Sequence, residues 1–231
     1  MTQHLKMIGL ITASVIMLCV ASASSASLII DGGFEVDGIP SWTLVGEASA
    51  EIAPSTLVNG SQALKLFGDF GTTNEFTVAS QFIAVDGINL MIGDEVWLEG
   101  LIGHLSGDAL EGINLAYIEV AIVNIFGGID FTNLAQSAFL NASSPTDVFL
   151  EVMTPKIEIP NIVMGDAVGF VRVAAVFYQE NRVTGVDFDN GAAWFDDLRL
   201  NVVPSPSTLA LFILGFSGLL LARRTSNPAH Q

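Results

Sequence analysis

Apolar side chains recur along the middle of this chain in short runs with period two, separated by clusters of turn residues. No apolar pattern of period 3.6 with end caps persists for ten residues between positions 27 and 202. Alternating runs rich in β-branched and aromatic residues predict strands over 27–30, 41–44, 48–52, 63–67, 75–85, 95–103, 116–126, 147–153, 168–178 and 192–202. Between them stand Asp31-Gly32-Gly33, Asn59-Gly60, Asp86-Gly87, Gly127-Gly128 and Asp189-Asn190-Gly191, among other breaks. About ten short strands at this spacing predict an all-β fold, an antiparallel β-sandwich of jelly-roll type, and no internal repeat is found.

The two ends have a different pattern. Lys6, the apolar run 7–20 and the small residues Ala21 to Ala26 read as a secretory signal peptide, 1–26, cut by signal peptidase after Ala26, with Ala23 as second choice. Cys19 follows a bulky Leu18 and has no small-residue region ahead of it, so a lipoprotein reading is rejected. At the other end, Val203-Pro204-Ser205-Pro206-Ser207 precedes fifteen largely apolar residues, 208–222, and then Arg223-Arg224, with 225–231 as a short tail. The prolines bar helix before Ser207, and Ser207 or Thr208 is placed to cap a helix formed by the apolar run. A transmembrane helix over 208–222 would be about 22 Å long, against a hydrocarbon core of ~30 Å. The arginine pair would stay cytoplasmic, leaving the 27–202 domain outside the inner membrane.

This collar, short apolar helix and arginine pair together resemble the PEP-CTERM sorting signal of Gram-negative bacteria, over 203–224. Ser205 stands where that family has Glu, and 225–231 continue past the basic pair where family members usually stop. The resemblance implies an intramembrane exosortase as processing partner and an association with exopolysaccharide and biofilm. It marks Val203, Pro204, Pro206, Ser207, Arg223 and Arg224 as the sorting motif.

Composition narrows the classes further. The chain has 231 residues, 24 acidic and 8 basic, for a formal charge of −16. All the acidic residues but only five of the basic ones lie within 27–202, so that segment carries −19. Such a field repels phosphate backbones and sets nucleic-acid binding aside. Half the residues are hydrophobic (51%) and few are charged (14%), a composition that folds. Cys19 is the single cysteine, so no internal disulfide forms.

Within the domain, Asp31-Gly32-Gly33-Phe34-Glu35 with Ser41-Trp42, then Asn59 to Leu66, Ser80-Gln81-Phe82-Ile83, and Trp194-Phe195-Asp196-Asp197-Leu198-Arg199-Leu200 occur in that order. The series looks like the galactose-binding-like jelly rolls, which include many carbohydrate-binding modules of secreted bacterial proteins. The resemblance implies a structural Ca²⁺ held by Glu35 and by Asp196 or Asp197, with carbonyls from the Asn59-Gly60 turn. Strict alternation puts Asp196 on the core face with Leu198 and Leu200, ahead of Asp197, which points with Arg199. An Asp that accepts backbone hydrogen bonds, or pairs with Arg199, is the competing reading.

Sugar sites offer flat aromatic faces. Among Trp42, Trp97, Tyr117, Tyr178 and Trp194, the weak ligand-binding candidates are Trp97, which shares parity with Glu95 and Glu99, and Tyr178, at a strand end. Trp42 is expected in the core, and Trp194, which shares parity with Leu198, is expected to be buried. Catalytic readings find less: His104 is the one histidine outside the terminal segments, no Gly-x-Ser-x-Gly elbow is present, and no catalytic residue is assigned. His104 is expected in a loop near Ser106. The sequence thus points to a non-enzymatic exported protein with weak glycan binding. The alternatives are a purely structural acidic surface protein and, third, a periplasmic hydrolase.

Overall fold

The computed structural model describes residues 28–35, 40–46, 50–54, 62–68, 75–88, 90–124, 129–160, 168–179, 191–205 and 216. Twelve strands are present among them: β1 (Thr43–Val45), β2 (Ala50–Pro54), β3 (Gln62–Phe67), β4 (Glu75–Ala84), β5 (Glu95–His104), β6 (Leu115–Asn124), β7 (Ile129–Gln136), β8 (Leu140–Asn141), β9 (Val148–Met153), β10 (Ile157–Glu158), β11 (Val168–Gln179) and β12 (Ala192–Val203). They form two six-stranded sheets. The first has the order β1-β4-β11-β6-β7, with β8 also on β6; the second has β10-β5-β12-β3-β2, with β9 also on β5. Every pairing is antiparallel. The chain passes from one sheet to the other at β1–β2, β3–β4, β4–β5, β5–β6, β8–β9, β10–β11 and β11–β12, the wrapping of a jelly roll.

The core lies between the sheets and follows from the period-two pattern. On β11 it takes Val171, Val173, Ala175 and Phe177, on β6 Ile118, Val120 and Ile122, on β5 Val96, Leu98 and Ile102, and on β12 Phe195, Leu198 and Leu200. Their β-branched and aromatic side chains fit a pleated, half-buried surface, so local preference and burial agree. Alternate residues of the same strands form the two outer faces.

Most expected strands are present within a residue or two, and four expectations need correction. Residues 28–33 form bends and turns rather than a strand. Asp31 and Phe34 take left-handed φ values of 53° and 52°, and Asp31 Oδ1 accepts the Glu35 N–H, so the segment coils across β12 instead of pairing along it. The strands β7, β8 and β10 are additions to the pattern-based set. β7 lies at the edge of the path through the first sheet, and the other two are two residues long, too short to show a period. His104 is the last residue of β5 and fully buried, not a loop residue. Finally, a bulge in β12 lets Asp196 pair with Leu101 and Arg199 with Glu99, so two residues are passed over where strict alternation allows one. The extra residue is Asp197, at φ 52°.

Among the described residues no helix is long and apolar enough to cross a membrane. The leader 1–26 with Ala26, the turn residues Asn59 and Gly60, and Pro206, Ser207, Arg223 and Arg224 lie outside the described residues, as does 208–222 apart from Phe216.

Candidate binding faces

Three places collect the chemistry of this domain. The first is the outer face of the first sheet. Successive outward residues are Phe76, Val78, Ser80 and Phe82 on β4, Phe170, Arg172, Ala174, Val176 and Tyr178 on β11, and Tyr117, Glu119 and Ala121 on β6. Gln136 of β7 stands opposite Glu119. The small Ala174 and Ala121 leave room in the middle for three polar side chains. Arg172 Nη1 pairs with Glu119 Oε1, and Gln136 Nε2 donates to Glu119 Oε2 at 3.4 Å. The ion pair is nearly enclosed, its side chains 11% and 8% exposed. Around it stand three aromatic pairs: Phe76–Tyr178 at 4.6 Å between ring centroids, Phe82–Phe170 at 6.3 Å edge to face, and Tyr117–Phe139 at 5.2 Å edge to face. Burial and the nearby Glu119 carboxylate push the Tyr117 hydroxyl up to about 12, with Arg172 opposing.

The second place is the outer face of the second sheet. Here β9 and β12 flank β5 and leave a groove of about 410 Å³, lined by Glu99, Leu101, Glu151, Met153, Asp197 and Arg199 among others. Arg199 grips its near neighbour: Nε donates to Asp197 Oδ1 at 3.1 Å and Nη2 pairs with Oδ2. The Asp197 hydrogen bonds, reinforced by its charge, raise the Arg199 pKa further. Both members of this pair remain about half exposed. Trp97 lies beside the groove, half-buried. Its Nε1 donates to Glu99 Oε1 at 2.7 Å and Lys156 Nζ sits 4.7 Å from the ring centroid. Trp97 thus occupies the solvated face that its parity implied, and Tyr178 occupies the opposite face of the sandwich. The two sugar-contact candidates are not brought together.

The third place is the junction of the opening segment with the β12 bulge. Leu198 N donates to Gly32 O at 2.8 Å, and a Cβ on Gly32 would fall 2.1 Å from Leu198 O, so only glycine allows this approach. Glu35 and Asp196 do converge here. A Cβ on Gly33 would lie 3.8 Å from Asp196 Oδ1 and 3.9 Å from Glu35 Cγ. Asp196 is buried, but by the register it belongs to the outer side of the sheet, beneath the opening segment, rather than to the core with Leu198 and Leu200. Its Oδ1 accepts the Asp197 N–H at 2.7 Å, and Glu35 Oε2 is 3.4 Å from the Gln62 N. One oxygen, Asp31 Oδ2, is buried with no hydrogen-bond partner. These oxygen donors suit Ca²⁺ in kind but not in number. Among the described residues no three of His, Cys, Asp and Glu group closely enough to hold a metal, and the Asn59-Gly60 carbonyls are outside the described residues.

Three further residues are settled by their partners. Trp42 packs on Phe34 in the core, with ring centroids 5.1 Å apart. Trp194 is buried on the outer side of the second sheet, with Lys65 Nζ 5.7 Å from its ring. His104 has both ring nitrogens occupied: Nδ1 accepts the Leu110 N–H at 3.0 Å and Nε2 donates to the Ser144 carbonyl at 3.0 Å. Neither nitrogen faces a cleft. Arg172, Glu119 and Gln136 were missed in the sequence. The signal was a lone arginine inside the otherwise apolar β11, which needs a buried or half-buried partner.

No protein-family model and no curated protein sequence matches this chain. Solved structures do. The CBM22-1 xylan-binding domain from Paenibacillus barcinonensis Xyn10C superposes with a TM-score of 0.50 at 12% identity, covering 80% of this chain and 99% of that one. The family 11 carbohydrate-binding module of Clostridium thermocellum Lic26A-Cel5E gives 0.42 at 11% identity, over 79% and 97%. The enzymatically active domain of bacteriophage CBA120 tailspike protein 4 gives 0.48 at 13% identity, over 77% of this chain, which spans only 21% of that one. At 12% identity the likeness to the first of these is one of fold alone: the domain is an all-β antiparallel sandwich of jelly-roll type.

Proposed function

We propose that this chain is an exported, non-enzymatic envelope or extracellular-matrix protein whose first-sheet outer face binds glycan weakly. The observation that carries the reading is the cluster Arg172–Glu119–Gln136 set between aromatic pairs on one face. Flat rings such as Tyr178 and Tyr117 match the C–H faces of sugars. A guanidinium, a carboxylate and an amide supply the donors and acceptors that hydroxyl groups need. The likeness to a xylan-binding domain supports this reading at the level of fold. The engagement of both His104 nitrogens supports a non-enzymatic protein.

Affinity electrophoresis of the full chain, in mild non-ionic detergent, through gels containing soluble xylan or β-glucan tests the binding. Retardation that falls with Tyr178→Ala and with Glu119→Gln is the expected result. Equal mobility in every gel for wild type and variants would overturn the reading and leave a structural acidic surface protein, kept hydrated by its charge.

The addresses at the two ends extend the proposal. Signal peptidase removes 1–26, and an exosortase-type system processes 203–224, delivering the domain from the inner membrane to the envelope or to exopolysaccharide. Intact-mass measurement of the exported protein reads both cuts at once. Retention of the tail would make it a plain anchor. A structural Ca²⁺ held by Glu35 and by Asp196 or Asp197, with carbonyls of the Asn59-Gly60 turn, belongs to the same reading; the carboxylates of the described residues alone do not group closely enough to hold it. It requires that calcium raise the Tm and that a chelator reverse the rise.

A further inference from the structure

The departure of the chain from the domain is held firmly. Beyond β12, Ser205 is buried, and its N–H donates to Asp94 Oδ1 at 2.8 Å. Asp94 is itself buried, and its other oxygen accepts the Met91 N–H at 2.8 Å. The same turn is closed by Asp94 N to Met91 O, and it is tied to β10's end by Gly93 N to Ile159 O and Ile159 N to Asp94 O. One carboxylate therefore joins the exit of the chain to the turn that enters β5. The two backbone nitrogens it binds lie within about 8 Å of each other.

What this turn presents to solvent is apolar. Met91 is 56% exposed and Ile92 57%, side by side, and Val203 at the end of β12 is exposed as well. Two adjacent large apolar side chains at the tip of a tight turn leave more than half of their surface in solvent. Their position in the fold matters. Only Pro206 and Ser207 separate Ser205 from Thr208, where the apolar run begins, so at most ~11 Å of extended chain intervenes. Pro206 disfavours helical backbone at Ser205, so the chain leaves the clamp extended. The interfacial zone of a bilayer is about 5–8 Å thick on each side of the hydrocarbon.

We propose that the Met91–Ile92 turn, with Val203, is a membrane-interface contact that seats the domain on the bilayer at the point where 208–222 enters it. This rests on the reading of 208–222 as a membrane segment. The occupant is lipid because the clamp and the short spacer bring this apolar tip to headgroup depth wherever that segment is inserted. The contact also suits a stubby helix, since apolar side chains from the domain continue its greasy surface into the interface. It is the only patch of the described residues joined to the tail by such a clamp.

The test uses the full chain with Cys19→Ser, which removes the single cysteine, reconstituted in phosphatidylcholine vesicles. An environment-sensitive nitrobenzoxadiazole label is placed on Ile92→Cys, on Ser217→Cys inside the apolar run, or on Ile113→Cys. Ile113 is an exposed apolar residue in the turn before β6, at the other end of the sandwich: β5 starts beside Val203 at Glu95 and ends at His104, which holds the Leu110 N–H just before that turn. Quenching by nitroxide lipids is then measured. The expected result is a blue-shifted Ile92 label, quenched several-fold more than the Ile113 label by shallow nitroxides, with the Ser217 label quenched best by deep ones. A quenched Ser217 label beside an Ile92 label that behaves like Ile113 would overturn the contact and leave the membrane segment standing. An Ile92 label that instead shows label–label self-quenching assigns the tip to a second copy and also overturns it. If the Ser217 label is unquenched, the membrane segment and this contact fail together. Asp94→Asn in the labelled, folded chain should lower Ile92 quenching without lowering that of Ser217; unchanged Ile92 quenching would remove the clamp from the account.

Discussion

The pair Arg172–Glu119 on the first sheet and the pair Arg199–Asp197 on the second are both guanidinium–carboxylate bridges, placed in opposite surroundings. The first joins strands 53 residues apart in sequence, with side chains only 11% and 8% exposed. The second joins residues two apart across a bulge, with side chains 56% and 46% exposed. Charges withdrawn from water must be satisfied by each other, whereas charges left in water gain little from meeting. A long-range, shielded pair is costly to keep, and this one is set between aromatic rings on the face proposed above to bind glycan. The exposed pair follows from local geometry, because left-handed Asp197 aims its carboxylate along the strand at Arg199.

The contrast can be broken in several ways, beginning with the strongest. Arg172→Met strands the Glu119 carboxylate in a shielded site and should destabilise the domain by about 3 kcal/mol in urea unfolding. A loss below about 1 kcal/mol would show that Glu119 is solvated after all. Next, Gly32→Ala forces a Cβ onto the Leu198 carbonyl and should remove about 1–3 kcal/mol, read as a lower denaturant midpoint. Third, Tyr178→Ala should weaken glycan retention about tenfold, the equivalent of ~1.4 kcal/mol, while Trp97→Ala leaves it unchanged. The reverse outcome would move the site to the second sheet.

A fourth test uses pH. The Tyr117 hydroxyl is raised from its usual 10 to about 12 in the fold, so the unfolded chain loses its proton first as the solution turns alkaline. The stability this group contributes is complete below pH 10 and is lost as pH rises toward 12. Tyr117→Phe should flatten the alkaline slope of the stability curve over that window. The smallest effect is expected from Arg199→Ala. Its exposed pair is screened by solvent and should change stability by no more than a few tenths of a kcal/mol, less still in high salt.

Strands with two buried neighbours were legible because each shows a period-two pattern to a core on one side. β4, β5, β6, β11 and β12 belong to this class. Edge elements were less legible. β8 and β10 bury too little side-chain surface to impose a pattern, and β7 has a strand partner on one side only. The bulge at Asp196–Arg199 escaped because alternation assumes that no residue is inserted. The consecutive Asp196 and Asp197 were a usable hint, since aspartate is among the residues that enter the left-handed region most readily. Trp97 and Tyr178 were each placed on a solvated edge or face from parity and strand position, but parity has no meaning between different sheets. Their separation onto opposite faces could not be read.

Periodicity, charge and the apolar runs at the two ends are properties of neighbours in the chain, so the residue order alone settles the all-β class, the acidic middle and the apolar ends. Which residues from distant strands meet depends on sheet order and register, and these are set by burial of the whole core. That is why the Arg172–Glu119–Gln136 cluster emerged with the packed sheets. The carboxylate of Asp94, 111 positions before the Ser205 N–H it holds, appeared in the same way.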